Sequence, residues 1–216
     1  MGRKDFVDKA LSFLGTAWNT PKYYQILANY NRQVNLPREY EIDERDPWCA
    51  VFVSAIGIIT NNACIFSECS CTKMKTLYKQ NNLFYREVAF NELEEGDLIF
   101  YDWDGDNSPD HVGIITSLQS SGSIEVIEGN ANGSLPYNGR VGTRMIKFNS
   151  PLIDGFAFPK FDSYDINDES DLAKQFVIDT EIFKGDENGY RWNEPITREE
   201  TAIVLHRLMS IIEDMR

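Results

Sequence analysis

The sequence predicts an α+β protein, and three observations carry that prediction. Apolar residues recur at helical spacing through the first 80 or so positions. After residue 95 the period changes to two, and Gly, Asn, Asp and Ser then punctuate the alternating runs. Helices followed by a run of short strands build a sheet covered on one side, not alternating βαβ units.

The elements follow in order. Residues 3–14 place Phe6, Val7, Ala10, Leu11 and Leu14 on one helical face, and Gly15 ends the pattern. A second helix opens at Pro21 and carries Tyr23, Tyr24, Ile26, Leu27 and Tyr30. Residues 32–46 are polar, contain Pro37, and read as a loop. In DPWCAVFVSAIGII, Asp46 is the expected N-cap and Pro47 the first helical residue. The helix behind them is almost wholly apolar, so it should be buried. Residues 71–82 suggest one more helix. DLIFYDW, HVGIITSL, SIEVIEG, GTRMIKF and IDGFAFP then read as five strands.

A composition shift near residue 162 divides the chain into 1–161 and 162–216. The acidic segment FDSYDINDESD reads as a linker. A helical pattern resumes with Leu172, Ala173, Phe176 and Val177, and the stretch FKGDENGYRWNEP reads as a turn. A last helix starts at Thr197, with Ala202, Ile203, Leu205, Leu208 and Met209 as its stripe. Thr197 and Glu200 form a capping-box pair. Residues 162–216 hold fourteen acidic and six basic residues, so this quarter of the chain carries most of the net charge of −13.

That charge disfavours nucleic acid and anionic membrane surfaces as general partners. No window is long and apolar enough to span a membrane. The opening MGRKDFVDKALSFLG is an amphipathic helix pattern, not a secretory leader. The expectation is a chain made in the cytoplasm without a signal peptide.

The chemistry gathers around Cys49. A cysteine nucleophile needs a base within hydrogen-bond reach and a polar group to orient that base. Cys49 falls in the first turn of the buried helix, where the dipole and free N–H groups favour a thiolate and later an oxyanion. Of the two histidines, His206 lies in the stripe of the last helix, while His111 opens a strand. Glu128 ends the next strand, so a hairpin brings its carboxylate beside the imidazole. Asn130, two residues on, is an auxiliary polar candidate. Taken singly, each is more often a packing or turn residue; the combination is what points to acyl transfer. Trp48 and Trp103 flank this constellation as candidate substrate-stacking walls, with core packing the plainer reading.

Two metal readings arise. Asp102, Asp104 and Asp106, with Asp110 beyond, are alternating carboxylates that suit calcium, against a polar turn held by Asx hydrogen bonds. Cys64, Cys69 and Cys71 lack paired zinc spacing and a fourth ligand, which favours plain thiols. Acyl transfer through a thiolate requires no cofactor.

WCAVFVSA, GDLIFYDWDGDNSPDHVGII and IEVIEGN, in this order, resemble the CHAP domain (cysteine- and histidine-dependent amidohydrolase/peptidase), related to NlpC/P60 proteins. The resemblance implies a papain-like α+β fold with N-terminal helices on a five- to six-stranded antiparallel sheet. It implies Cys49 as nucleophile, His111 as base and acid, Glu128 as orienter and Asn130 as auxiliary. The implied activity is cleavage of an amide bond in bacterial peptidoglycan, by an N-acetylmuramoyl-L-alanine amidase or a peptide endopeptidase of phage or prophage type. Such an enzyme would reach the wall after holin-type release. Residues 168–210 resemble a single S-layer homology (SLH) repeat. That implies contacts from Thr197, Arg198 and Glu199 to secondary cell-wall polysaccharide. One such unit cannot bury its stripe alone, which implies docking or homo-oligomerisation. The rival readings are a catalytically silent wall-binding protein of the same fold and an intracellular cysteine amidohydrolase.

Overall fold

The helical periodicity of the first 80 residues becomes four helices: α1 (Arg3–Leu11), α2 (Pro21–Asn31), α3 (Cys49–Ile59) and α4 (Cys71–Gln80). The computed structural model describes residues 2–161, 182 and 196–214. The chain divides into two compact units, Met1–Ser163 and Tyr164–Arg216.

The helix starts follow from short polar side chains. Thr20 accepts from the Tyr23 N–H ahead of Pro21, and Ser70 accepts from the Lys73 N–H at the start of α4. Each such cap contributes about 1 kcal/mol. In α1 the Asp5 carboxylate accepts from the Gly2 N–H. The expected start of α3 is corrected. Asp46 is not its cap, because its carboxylate accepts from the Asp43 N–H and the Tyr40 hydroxyl. The helix therefore opens two residues later, with Trp48 at the cap position and Cys49 as the first helical residue. The expected loop over 32–46 contains one 3-10 turn, Pro37–Glu39.

Six strands form one antiparallel sheet: β1 (Phe84–Tyr85), β2 (Leu98–Tyr101), β3 (His111–Gln119), β4 (Ser123–Ala131), β5 (Arg140–Lys147) and β6 (Ile153–Ala157). Their order is β1-β6-β2-β3-β4-β5. The five expected strands are all present. The unforeseen one, β1, spans two residues, too short for any alternation to register.

Alternation along the strands splits the apolar residues into two clusters. Leu98, Phe100, Val112, Ile114 and Ile127 join α1–α4 in the larger core. Ile99, Tyr101, Ile115 and Val126 face the other way into a smaller one. Residues Cys49 to Gly57 of α3 are all buried, as the apolar run requires. Gly129 lets this helix come close: a Cβ there would lie 2.4 Å from the Phe52 Cβ. The close approach sets the start of α3 beside the end of β4.

In the second unit, α5 (Arg198–Asp214) begins behind the expected capping box. Thr197 Oγ1 accepts from the Glu200 N–H at 3.1 Å, and the Glu200 carboxylate accepts from the Thr197 N–H at 2.7 Å. Ile203, Leu205 and Met209 are exposed on it. The acidic linker, the helical pattern near 172–177 and the GDENGY turn lie outside the described residues.

Candidate active site

The β3–β4 hairpin turns through residues 120–122, with Ile114 opposite Ile127 and Gln119 opposite Ser123. This register lays the end of β4 beside the start of β3. His111 Nε2 lies 3.4 Å from Glu128 Oε2, with both side chains buried. Neither atom completes a hydrogen bond, so the contact is ionic and slightly open. Apo sites of this kind tighten when substrate binds. The Nε2 edge faces the carboxylate, and the Cys49 thiol is the other side-chain partner of the imidazole. Gly113 makes room for this pairing: a Cβ there would sit 2.9 Å from Glu128 Cγ and 2.4 Å from Val126 Cγ1.

Cys49 is 5 % exposed, and its sulfur lies at the N-terminal turn of α3. Its thiol is held well below the ordinary range. The largest cause is a hydrogen bond from Cys71, whose sulfur lies 3.4 Å away; His111 and the Ala50 N–H add to it against the opposing effect of burial. Cys71 is correspondingly pushed up by the Cys49 sulfur and by burial. Burial alone would lower His111, but the Cys49 sulfur and Glu128 outweigh it and raise the imidazole to about 9. These opposite shifts correspond to a thiolate–imidazolium pair.

The carboxylate has partners that sequence reasoning missed. Arg144 Nε donates to Glu128 Oε1 at 2.8 Å. Its guanidinium also stands over the rings of Tyr101 at 5.6 Å and Trp103 at 5.8 Å. Burial pushes Glu128 up, but His111 and Arg144 together bring it below the usual carboxylate range. The buried Tyr101 hydroxyl is driven upward by burial and by Glu128, so it stays protonated. No motif marks Arg144. It lies across from Val126 on β5, diagonal to Glu128, and the register that puts it there is set across a long loop. Cys71 carried one usable signal: like Cys49, it is the first residue of its helix.

A cleft of about 510 Å³ opens on Cys49 and His111, walled by Trp103, Asp110, Asn130 and residues 132–136. Trp103 is 46 % exposed and stacks on the His111 ring at 5.0 Å. Trp48 is a correction. It is fully buried, its indole N–H donates to the Tyr137 carbonyl, and it packs edge-on against Tyr23. It presents no face to a substrate.

Asn130 lines the cleft, but its polar atoms turn elsewhere. A bulge after Glu128 breaks the alternation, and Asn130 takes a left-handed φ of 57°. Its amide donates to the Pro136 carbonyl and its oxygen accepts from the Gly139 N–H. It fastens the cleft rim instead of touching His111.

The acidic loop forms in part. Carboxylate oxygens of Asp102, Asp104 and Asp106 lie within 4.8 Å of one another. Each already accepts amide N–H groups of its own turn: Asp102 from Gly105 and Asn107, Asp104 from Asp106, and Asp106 from Ser108. Asp110 is separate and accepts from the Trp103 N–H. These Asx turns hold the shape of the loop. The candidate zinc set does not converge: Cys71 faces Cys49, while Cys69 accepts from Arg38.

Residues 41–130 match the CHAP domain. The matched segment runs from the loop before Cys49 to Asn130 and includes His111 and Glu128. No curated protein is significantly similar to the chain. Among solved structures, the wild-type endolysin LysIME-EF1 aligns at 12 % identity and a TM-score of 0.50, over 76 % of this chain and 66 % of that one. Ly7917 aligns at 10 % identity and 0.45, over 74 % and 62 %. An NlpC/P60 family protein from Bacillus cereus ATCC 10987 aligns at 16 % identity and 0.41, over 74 % and 40 %. The chain therefore spans less than two thirds of those three chains. The first likeness is one of fold, and it extends beyond residues 41–130. Among the described residues, no helix is long and apolar enough to cross a membrane.

Proposed function

We propose that this chain is a cysteine-dependent peptidoglycan hydrolase that cleaves an amide bond in the bacterial wall. The observation that carries the reading is the array Arg144–Glu128–His111–Cys49, its last three members buried, opening on a cleft within the segment that matches the CHAP domain. The likeness in fold to an endolysin agrees with that substrate class.

Cys49, already a thiolate, attacks the carbonyl carbon of a peptide or N-acylmuramyl amide. Its own N–H, unpaired at a helix start, is suited to hold the oxyanion. His111 gives its proton to the departing amine, then takes one from the water that releases the acyl group. Glu128 fixes the ring tautomer and balances the imidazolium, and Arg144 holds Glu128. Trp103 offers an exposed ring to the substrate. In the second unit, Thr197, Arg198 and Glu199 lie at the exposed start of α5 and are proposed to contact anionic wall polysaccharide.

Purified walls test the reading directly. Wild-type protein should clear them, Cys49→Ala should not, and mass spectrometry of the products identifies the bond as muramoyl–alanine or interpeptide. Clearing at the wild-type rate by Cys49→Ala rejects the mechanism. Arg198→Ala should leave clearing of purified peptidoglycan stripped of polysaccharide unchanged while weakening co-sedimentation with intact walls.

A further inference from the structure

The second thiol beside the nucleophile is more than the acyl-transfer chemistry needs. Cys49 and Cys71 come from helix starts twenty-two positions apart, yet their sulfurs lie 3.4 Å apart in a buried site. Their helices are bound to each other. The Ser54 hydroxyl of α3 donates to the Glu68 carbonyl at 2.7 Å and accepts from the Glu68 N–H at 2.8 Å, just ahead of α4. The Glu68 carboxylate accepts from the N–H groups of Cys69 and Ser70, and from Arg38. At the other flank, buried Lys75 of α4 pairs with buried Asp154 of β6. The two sulfurs are thus held together by the scaffold around them.

We propose that Cys49 and Cys71 form an oxidisable dithiol, in which a hydroperoxide oxidises Cys49 and Cys71 resolves the product as a disulfide. The roles are unequal by geometry. Cys49 lines the cleft and Cys71 does not, so a peroxide meets Cys49 first. The Cys49 thiolate attacks the terminal peroxide oxygen, the O–O bond breaks, and the departing alkoxide takes the His111 proton as an alcohol. Cys49 is then a sulfenic acid. The hydrogen bond to the Cys49 thiolate, the chief cause of the raised Cys71 thiol, is gone. The Cys71 sulfur attacks the Cys49 sulfur, its proton leaves with the hydroxyl as water, and the S–S bond forms. Two thiols have supplied two electrons to one O–O bond. The product has no nucleophile, and thiol reduction restores it. Only the consequence for wall cleavage rests on the function proposed above; the disulfide itself does not.

The test uses the full chain carrying Cys64→Ser and Cys69→Ser, so that only the pair remains, with the wild type alongside for peptide mapping. Limited tert-butyl hydroperoxide should remove both titratable thiols and two hydrogens of mass. A peptide linking Cys49 to Cys71 should appear, and a phosphine should reverse all three changes together with the loss of wall clearing. Adding Cys71→Ser should instead carry Cys49 on to sulfinic acid, which the phosphine does not reverse. Sulfinic acid at Cys49 with a free Cys71 thiol in the wild type would overturn the proposal. Because mass and thiol count need no substrate, that failure is separable from a protein that forms the disulfide yet never cleaves walls.

Discussion

Glu128 is shared: its Oε1 accepts from Arg144 Nε at 2.8 Å while its Oε2 faces His111 Nε2 at 3.4 Å. One buried carboxylate therefore ties the base to a guanidinium on a different strand. Arg144→Met keeps the apolar stem over Tyr101 and Trp103 but leaves Oε1 without its donor. The side chain is 36 % exposed, so water replaces part of the loss. The expected destabilisation is about 1–2 kcal/mol by thermal unfolding, with about a tenfold loss in kcat/KM. Arg144→Lys should recover the charge but not the directed N–H, and hence only part of the activity.

The pH profile follows from the two shifted groups. His111 is raised from 6.5 to about 9, so its stabilising charge is fully present below 6.5 and is lost as pH climbs through 9. Cys49 is lowered, so its contribution fails instead as pH falls through its depressed value. Activity should hold across the neutral range and decline through about pH 9. Glu128→Gln removes one of the two upward pulls and leaves the Cys49 sulfur alone against burial, which moves the alkaline limb to lower pH. Alkylation rates at Cys49 by iodoacetamide across pH read both limbs; an unmoved limb in Glu128→Gln contradicts the assignment.

Gly113→Ala should damage the site from beneath. The added methyl would press on Val126 and Glu128. Overpacking of this kind costs about 1–3 kcal/mol. Displacing Glu128 by even a fraction of an ångström should lower kcat more than it changes KM, on the order of tenfold or more. Steady-state kinetics beside an unfolding curve separates the two effects.

The two tryptophans should behave oppositely. Trp48→Ala empties a fully buried site and should cost about 3–5 kcal/mol. Trp103→Ala should change stability by less than about 1 kcal/mol. It should raise KM on wall fragments several-fold, since the exposed ring lines the cleft. A Trp103 variant with unaltered KM would remove that ring from substrate contact.

Sequence alone determined what depends on local pattern. The α+β class, four helix positions in the first unit and five of the six strands follow from periodicity and turn residues. So does the hairpin that brings Glu128 to His111, because a short turn fixes register. The first-turn position of Cys49 was also legible, although Asp46 spends its carboxylate on Asp43 and Tyr40 and the helix starts later than expected. Tertiary structure decided whatever depends on distance between elements. Trp48 and Trp103 look alike in sequence, yet only packing buries one and stacks the other on His111. Asn130 looked catalytic until a bulge turned its amide to the cleft rim. Arg144 reaches Glu128 only through a register set across a long loop, and Cys71 reaches Cys49 only because two separate helices start at one place. Neighbour-to-neighbour geometry propagates along a chain, but the meeting of remote side chains is settled by how the whole core packs.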